Sequence, residues 1–394
     1  MPKPVRKRLF DVIRLGICAI ALWLVVRGVT LNDHVGLIVG GELIGEIVSD
    51  GDPIEIRLSD GVVRQVPRTD IAQDADGASR VSFGLKSAWR NSRKGLLLLA
   101  VCIYFPVLFP QALRFRWMLA VQDISLGYWD CVKLSAAGNF LNFTTPLGSN
   151  AGDVFKAYFV SLHTDRKTEA VATVILDRLI GLGSLLFVVA GITVLSPQGS
   201  RLAVLRPYML GLIALGVVAG ALYFLLTWHR WWAGSALLSR VPMFDQLKRM
   251  DRATRTLAGH MPTLIAAVLI TIALQALALL AYFVVAVSLG LDAHAGNVLE
   301  YFAYFYTGVL VQALPGPPQG LGTVELTYRY FFAPFGSASQ IVCMAFAIRI
   351  MVLICALPGL LVTATGAYRP RTAPTQDETV NSNPPIPKHN LIAS

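Results

Sequence analysis

The sequence is poor in charged residues. Asp, Glu, Lys and Arg make up 15% of its 394 residues, against about 25% in a typical soluble domain. Hydrophobic residues make up 55%, and a soluble protein this apolar would expose large patches and aggregate. The composition therefore excludes an ordinary soluble protein and indicates that lipid is the solvent for much of the surface.

The sequence also lacks the short motifs that carry common metal and cofactor chemistry. Its five cysteines form no Cys-x-x-Cys pair, and its six histidines form no His-Glu-x-x-His motif. Phosphate-binding motifs of the Walker A and G-x-G-x-x-G types are absent too. We therefore predict no disulfide framework, no metal site, no nucleotide site and no cofactor.

Basic residues outnumber acidic ones, and the formal net charge is +10. They concentrate in short loops between apolar segments, which is the pattern of cytoplasm-facing loops in membrane proteins. The charge therefore predicts orientation, and we expect no nucleic-acid partner. It predicts a multi-pass protein of the plasma (inner) membrane with both termini in the cytoplasm.

Long apolar runs indicate the membrane spans, since a spanning helix needs about 20 consecutive apolar residues. The first run follows a basic segment, and no small-residue cleavage site follows it, which favours an uncleaved signal anchor over a signal peptide. Arg114 and Arg116 are expected to close the second span at the cytoplasmic face. The spans after the first are predicted at residues 96–113, 170–195, 208–228, 264–289 and 341–363.

Residues 30–92 differ from the rest of the chain. Two Asp-Gly turn signals, at residues 49–52 and 59–61, separate runs in which apolar and polar residues alternate. Asp-Gly between alternating runs is a strong β-hairpin signal. We predict a small β-rich module on the extracytoplasmic side. It is expected to act as a cap or spacer, or to dock an envelope-biosynthesis partner protein.

Two further segments break at Pro/Gly clusters and do not match simple spans. The first is helical before residues 144–152 and resumes at Asp153. The second is helical before residues 315–322 and resumes at Thr323. Counting the spans on either side makes the first hairpin enter from the cytoplasm and the second from outside. Broken helices in an inverted repeat are a recurring plan of transporters.

Ionisable residues follow the same two-fold pattern. Asp153 and Glu325 come after the two breaks, and Arg178 and Arg349 follow about 25 residues later inside apolar helices. A charge at the centre of a membrane helix costs about 2.5–3.5 kcal/mol, so these side chains are expected to face a polar interior. Asp177 points about 100° away from its neighbour Arg178 on a helix. The two are therefore expected to contact different partners.

These residues have a functional and a structural interpretation. In the first, the basic side chains attract an anionic headgroup while the acidic ones balance or relay charge. In the second, they form ion pairs that tie the hairpins to the long helices, and Lys156 reaches the membrane interface. The break residues either aim helix N-termini at a phosphate or simply end helices. The candidate substrate-binding residues are Arg178, Arg349, Asp177, Glu325, Asp153, Lys156, Pro146, Gly152, Gly320 and Gly322.

Three motifs resemble those of one family. They are Pro146-Leu147-Gly148 with Gly152-Asp153-Val154-Phe155-Lys156, then Leu176-Asp177-Arg178-Leu179, and Pro315-Gly316 with Gly320-Leu321-Gly322-Thr323-Val324-Glu325. They are similar to the flippase-like transmembrane region of lysylphosphatidylglycerol synthases, over about residues 95–366. The resemblance implies lipid translocation between leaflets. No aminoacyl-transferase domain follows, so we do not expect an enzyme, and Pro317-Pro318-Gln319 departs from the third motif.

The sequence thus predicts an all-α integral membrane protein with about six full spans and two broken-helix hairpins in an inverted repeat. A small β-rich extracytoplasmic insertion interrupts it. The predicted divisions are a signal-anchor span, the β-rich module, a flippase-like transmembrane domain and a disordered cytoplasmic tail, at residues 1–29, 30–92, 93–367 and 368–394.

The leading functional hypothesis is a flippase-like transporter for a membrane lipid. The resemblance allows an anionic or aminoacyl phospholipid, a polyprenyl lipid or a hopanoid lipid. One alternative is a membrane-embedded glycosyl- or phospho-transferase acting on a lipid carrier, with Asp153 or Glu325 as the catalytic carboxylate. Another is a non-catalytic partner of an envelope complex.

Overall fold

The protein is described by a computed structural model. The predicted signal anchor, the predicted tail and Pro146 lie outside the described residues, so the predictions made for them stay predictions. The structure describes residues 31–39, 41–50, 52–58, 60–72, 81–82, 84–144, 151–195, 203–204, 206–228, 244–313 and 318–364.

The N-terminal module is a five-stranded antiparallel sheet with the order β4-β3-β2-β1-β5. Residues of alternating hydrophobicity form it because one face buries Val35, Ile47, Ile54 and Ile56. Gly61 has a φ of +87° in the tight turn before β4, at a predicted turn signal. The prediction of a β-rich module is confirmed. The strands are β1 Asp33–Gly36, β2 Glu42–Asp50, β3 Ile54–Leu58, β4 Val63–Val66 and β5 Val81–Ser82.

A buried carboxylate attaches this sheet to the first helix, α1 (Leu85–Arg90). The side chain of Asp33 is fully buried. It accepts hydrogen bonds from the backbone N–H of Ile47 at 2.6 Å, from that of Gly84 at 2.6 Å and from the Ser87 hydroxyl at 2.7 Å. Because α1 packs against the last long helix, the sheet is fixed to the helical part of the molecule.

The rest of the described chain is helical. Four segments are long and apolar enough to cross a membrane, namely Lys94–Val121, Lys167–Val194, Met261–Ser288 and Ala338–Ala356. The protein is therefore a multi-pass membrane protein, and the predicted total of six spans stays a prediction. The helices are α2 Lys94–Tyr104, α3 Leu108–Val121, α4 Tyr128–Thr144, α5 Ala151–Leu162, α6 Lys167–Leu195, α7 Arg206–Trp228, α8 Phe244–Gly259, α9 Met261–Ser288, α10 Val298–Ala313, α11 Thr323–Phe331 and α12 Ala338–Ala364.

Both predicted helix breaks are confirmed. Helix α4 ends at Thr144 and α5 begins at Ala151, two residues before the predicted restart at Asp153, while α10 and α11 flank the second break. A 3-10 turn, Pro318–Gly320, lies within the second break, and α11 begins at Thr323 as predicted. Gly320 and Gly322 have φ values of +62° and +84°, which favour glycine because it has no Cβ. The opposite entry of the two hairpins stays a prediction.

The helix of the second span is longer than predicted and continues beyond Arg114, whose expected position at the cytoplasmic face stays a prediction. Helices α2 and α3 continue through a short 3-10 turn, Phe105–Val107, to Val121. Arg114 therefore lies within the helix, where its side chain is buried.

Glycines allow the helices around the first break to approach closely. A Cβ added at Gly152 in α5 would overlap the backbone of Gly138 in α4. A Cβ at Gly359 in α12 would overlap the carbonyl of Ala136 on α4. Small residues at such crossings are the usual means of close packing between membrane helices. They hold α4 between α5 and α12.

Aromatic side chains pack the second hairpin. Tyr301 and Phe305 of α10 and Phe332 after α11 are fully buried, with ring centroids 4.9–6.1 Å apart. Tyr328 of α11 lies over Gly308, where an added Cβ would overlap its ring. This cluster fixes α11 against α10 and so positions the carboxylate carried by α11.

Candidate functional site

A cavity of about 430 Å³ lies among the long helices, the last turns of α4 and the second break. Its wall combines apolar side chains with three arginines, Arg114, Arg178 and Arg349. Tyr104, Tyr282, Tyr328 and Thr271 supply hydroxyl groups, and six amide side chains complete the polar part: Gln111, Asn139, Asn142, Gln275, Gln312 and Gln319. The volume is within the range of about 300–1,000 Å³ that is usual for ligand pockets.

Arg349 of α12 is held by the second break. Its Nε donates to Glu325 Oε1 at 2.7 Å, and its Nη1 donates to the carbonyl of Gln319 at 2.9 Å. The other carboxylate oxygen of Glu325 accepts from the N–H of Gly322 at 2.8 Å. Glu325 itself is 1% exposed. The glycine that begins α11 therefore orients the carboxylate, and the carboxylate orients the arginine.

Arg178 of α6 is held in the same way by the first hairpin. Its Nη1 forms an ion pair with Asp153 Oδ2, in the first turn of α5. The sequence pattern of an acidic residue after each break and an arginine further along thus corresponds to two direct contacts. Both arginines line the same cavity.

A third pair was not foreseen. Arg114 Nη2 lies 2.8 Å from Asp177 Oδ1, and Arg114 Nη1 donates to Thr271 Oγ1 at 2.6 Å. Asp177 and Arg178 thus contact different partners, as their positions on the helix predicted. The sequence did contain a signal for this pair, because Arg114 follows an apolar run and a cation inside an apolar helix needs a partner.

Gln319 of the second break contacts the last turn of α4. Its Nε2 donates to the carbonyl of Asn142 at 2.7 Å, and its Oε1 accepts from Gln312. Asn142 Oδ1 in turn accepts from the N–H of Gly152 at 2.7 Å. Gln319 belongs to the segment that departs from the family motif, and sequence reasoning gave it no role. Here it joins the two hairpins.

The remaining predicted site residues lie behind the cavity wall. Lys156 is 4% exposed, and its Nζ lies 5.4 Å from the ring centroid of Phe115. The expectation that it reaches the interface is wrong, because α5 packs this face against α3 and α4. Gly152, Gly320 and Gly322 shape the backbone of the breaks.

The charges have a definite order around the cavity. The three arginines line it, while Asp153, Asp177 and Glu325 contact them from outside the lining set. Arginine offers five N–H donors in a planar fork that matches phosphate and carboxylate groups. Within the described residues no cluster of metal-ligating side chains occurs. The arrangement suits an anionic ligand.

Comparison with known proteins agrees with this architecture. The family model described as "Lysylphosphatidylglycerol synthase TM region" matches residues 83–359, which is more than half of the chain. The match begins just before α1, so it includes the helix that carries the sheet. No curated protein matches the chain. The protein, with its three acidic–arginine pairs around one cavity, belongs to the lysylphosphatidylglycerol synthase transmembrane region family.

Proposed function

We propose that this protein moves a membrane lipid between leaflets, with the headgroup in the arginine-lined cavity and the acyl chains in the bilayer. The observation that carries the proposal is the position of Arg178 and Arg349. They come from helices that follow different breaks, yet both line one cavity among span-forming helices. The family match supports a lipid-related role.

The energetics favour an anionic headgroup. Desolvated charges cost several kcal/mol each unless they are paired, and each cavity arginine is already matched by one carboxylate. A phosphate would therefore meet arginines that are held in place before binding. Charge-assisted hydrogen bonds to such groups are about twice as strong as neutral ones. This preorganisation lowers the cost of moving a headgroup through a low-dielectric region.

In this proposal, the two hairpins are the parts of the protein that move during transport. Irregular backbone at membrane depth is tolerated where it is enclosed by protein or lines a wet cavity. We assign the hairpins to an inverted repeat of a six-span protein in the plasma membrane, with cytoplasmic termini. One half would rock against the other about the contact between Gln319 and Asn142. The sheet would stay outside the membrane, as a surface for an envelope-biosynthesis partner.

The carboxylates favour transport over the transferase alternative. A catalytic carboxylate must reach the reacting atoms. Asp153 and Glu325 are instead paired with arginines and stand outside the lining of the cavity. Their geometry suits charge balance.

The test is translocation in proteoliposomes. A fluorescent phosphatidylglycerol is added to both leaflets, and its exchange is followed by quenching from outside. The double variant Glu325→Gln/Arg349→Gln keeps the cavity neutral and avoids a stranded charge. We expect it to slow exchange at least about tenfold, since it removes charge-assisted hydrogen bonds worth about 1.5–3 kcal/mol.

The matched control is Arg255→Gln. Arg255 pairs with Asp251 on α8, and its side chain is half exposed. This variant removes one arginine without touching the cavity, and we expect the native exchange rate. A folded double variant that exchanges lipid at the native rate contradicts the proposal.

A further inference from the structure

The cavity contains more neutral hydrogen-bonding groups than an anion requires. Six amide side chains line it, on α3, α4, α9, α10 and the 3-10 turn: Gln111, Asn139, Asn142, Gln275, Gln312 and Gln319. A polar group in an apolar region costs free energy unless it has a partner. Some of these amides are hydrogen-bonded within the protein at both ends, whereas others keep groups that a ligand could bind.

Gln275 and Gln319 serve the fold. Gln275 donates to the carbonyl of Gly181 at 3.1 Å and accepts from the Tyr306 hydroxyl at 3.3 Å. Gln319 joins the two breaks. Both ends of each side chain are therefore engaged, and neither amide needs a ligand.

Three amides on α3 and α4 keep groups available. Asn139 Nδ2 donates to Gln111 Oε1 at 3.2 Å. In the part of the chain that the structure describes, this leaves the Gln111 NH₂ and the Asn139 carbonyl without a partner. The Asn142 NH₂ is likewise unbonded there. The side-chain oxygen of Asn142 accepts from the N–H of Gly152, and its backbone carbonyl accepts from Gln319. The NH₂ donors of Gln111 on α3 and Asn142 on α4 and the carbonyl acceptor of Asn139 on α4 therefore remain.

Such a set matches hydroxyl groups. Each hydroxyl both donates and accepts, so it can bond an amide NH₂ and an amide carbonyl at once. Asn139 and Asn142 are three residues apart and lie on one face of α4. Gln111 and Arg114 have the same spacing on α3. The amide set therefore lies beside an arginine.

The cavity offers little to a cationic headgroup. No Asp or Glu of the described residues lines it, whereas three arginines do. The two break segments outside the described residues, 145–150 and 314–317, contain no acidic residue in their sequence. A lysyl or other ammonium group would face like charges, which destabilise the bound state.

We propose, resting on the proposed function, that the transported lipid has a phosphate attached to a hydroxyl-rich headgroup, a polyol or a sugar. The arginines Arg114, Arg178 and Arg349 bind the phosphate. Gln111, Asn139 and Asn142 bind the hydroxyls. An aminoacylated phospholipid is not the preferred ligand of this chain.

The experiment is lipid competition on the full-length protein in detergent, measured by native mass spectrometry. Four lipids with the same acyl chains compete: phosphatidylinositol, phosphatidic acid, neutral diglucosyl-diacylglycerol and lysyl-phosphatidylglycerol. We expect phosphatidylinositol to bind at least about tenfold tighter than each of the others, because only it combines a phosphate with several hydroxyls and no ammonium group. Phosphatidylglycerol, a smaller polyol, should fall between it and phosphatidic acid.

Variants separate the two recognition elements. Gln111→Leu/Asn139→Leu should lower phosphatidylinositol affinity about tenfold and leave phosphatidic acid affinity unchanged. The near-isosteric Gln111→Met is the second variant and should give a smaller loss of the same kind. Gln65→Leu, on an exposed strand outside the cavity, is the matched control and should bind as the native protein does.

Equal affinity for phosphatidylinositol and phosphatidic acid overturns this inference, as does tighter binding of lysyl-phosphatidylglycerol. An unchanged preference in folded Gln111→Met overturns the residue assignment. The proposed function fails separately. Selective binding without exchange in proteoliposomes rejects transport and keeps the ligand class. Exchange without headgroup preference keeps transport and rejects the ligand class.

Discussion

At the scale of single residues, the molecule depends on charges that are buried only because each has a partner. The side chains of Arg114 and Asp177 are each 8% exposed, and their ion pair is 2.8 Å long. Removing both members of such a pair is often tolerated, whereas removing one leaves an uncompensated charge. Their contribution is therefore visible only in a comparison of single and double variants.

We expect Asp177→Asn and Arg114→Gln each to destabilise the protein by about 3–5 kcal/mol. The double variant should recover most of that loss, because no charge is stranded. Thermal unfolding in detergent measures all three. Arg255→Gln, which removes a half-exposed arginine, should cost under about 1 kcal/mol. Additive losses in the double variant would show that the pair is not coupled.

At the scale of elements, the position of α4 depends on glycine contacts on two sides. Gly152 allows α5 to approach α4, and Gly359 allows α12 to approach it. Asn139 and Asn142 lie on α4 and line the cavity. A shift of this helix therefore moves the wall of the site.

Gly152→Ala tests this contact. The added methyl group would overlap the backbone of Gly138, and overpacking of this kind costs about 1–3 kcal/mol. We expect a lower unfolding temperature together with weaker lipid binding. Gly183→Ala is the control, because a Cβ there meets nothing within 4 Å, and alanine favours a helix by about 1 kcal/mol. Unchanged lipid binding in Gly152→Ala would show that the spacing between α4 and α5 does not affect the site.

At the scale of the whole molecule, a hydrogen-bond bridge joins the two hairpins. Gln319 and Asn142 are 177 positions apart in sequence and are joined by a 2.7 Å hydrogen bond. Rocking of two halves, as proposed for transport, changes this contact. Fixing the bridge should therefore stop the transport cycle without unfolding either half.

Cross-linking tests the bridge. In a background without the native cysteines, Asn142→Cys/Gln319→Cys is treated with a short reducible thiol cross-linker. Lipid exchange should stop after cross-linking and recover after reduction, because the halves are then free to separate. A cysteine pair at residues 251 and 255, within α8, is the control and should exchange lipid throughout. Full exchange in the cross-linked protein would mean that the hairpins do not move apart.

The sequence by itself determined the local features. Apolar length marks four spans that the structure contains, and Pro/Gly clusters mark both breaks, because hydropathy and backbone restriction act within a few residues. The repeated spacing of an acidic residue and an arginine after each break was visible in the sequence, and the structure pairs Glu325 with Arg349 and Asp153 with Arg178. The sheet followed from alternation and Asp-Gly turns.

Only the tertiary structure decided which side chains meet across the cavity. The rotation of each helix about its own axis is set by packing with its neighbours, and hydropathy does not specify it when a helix is apolar on all sides. Arg114 donates to Thr271, 157 positions away, and it lines the cavity, which its sequence position did not predict. The amides converge from separate helices for the same reason.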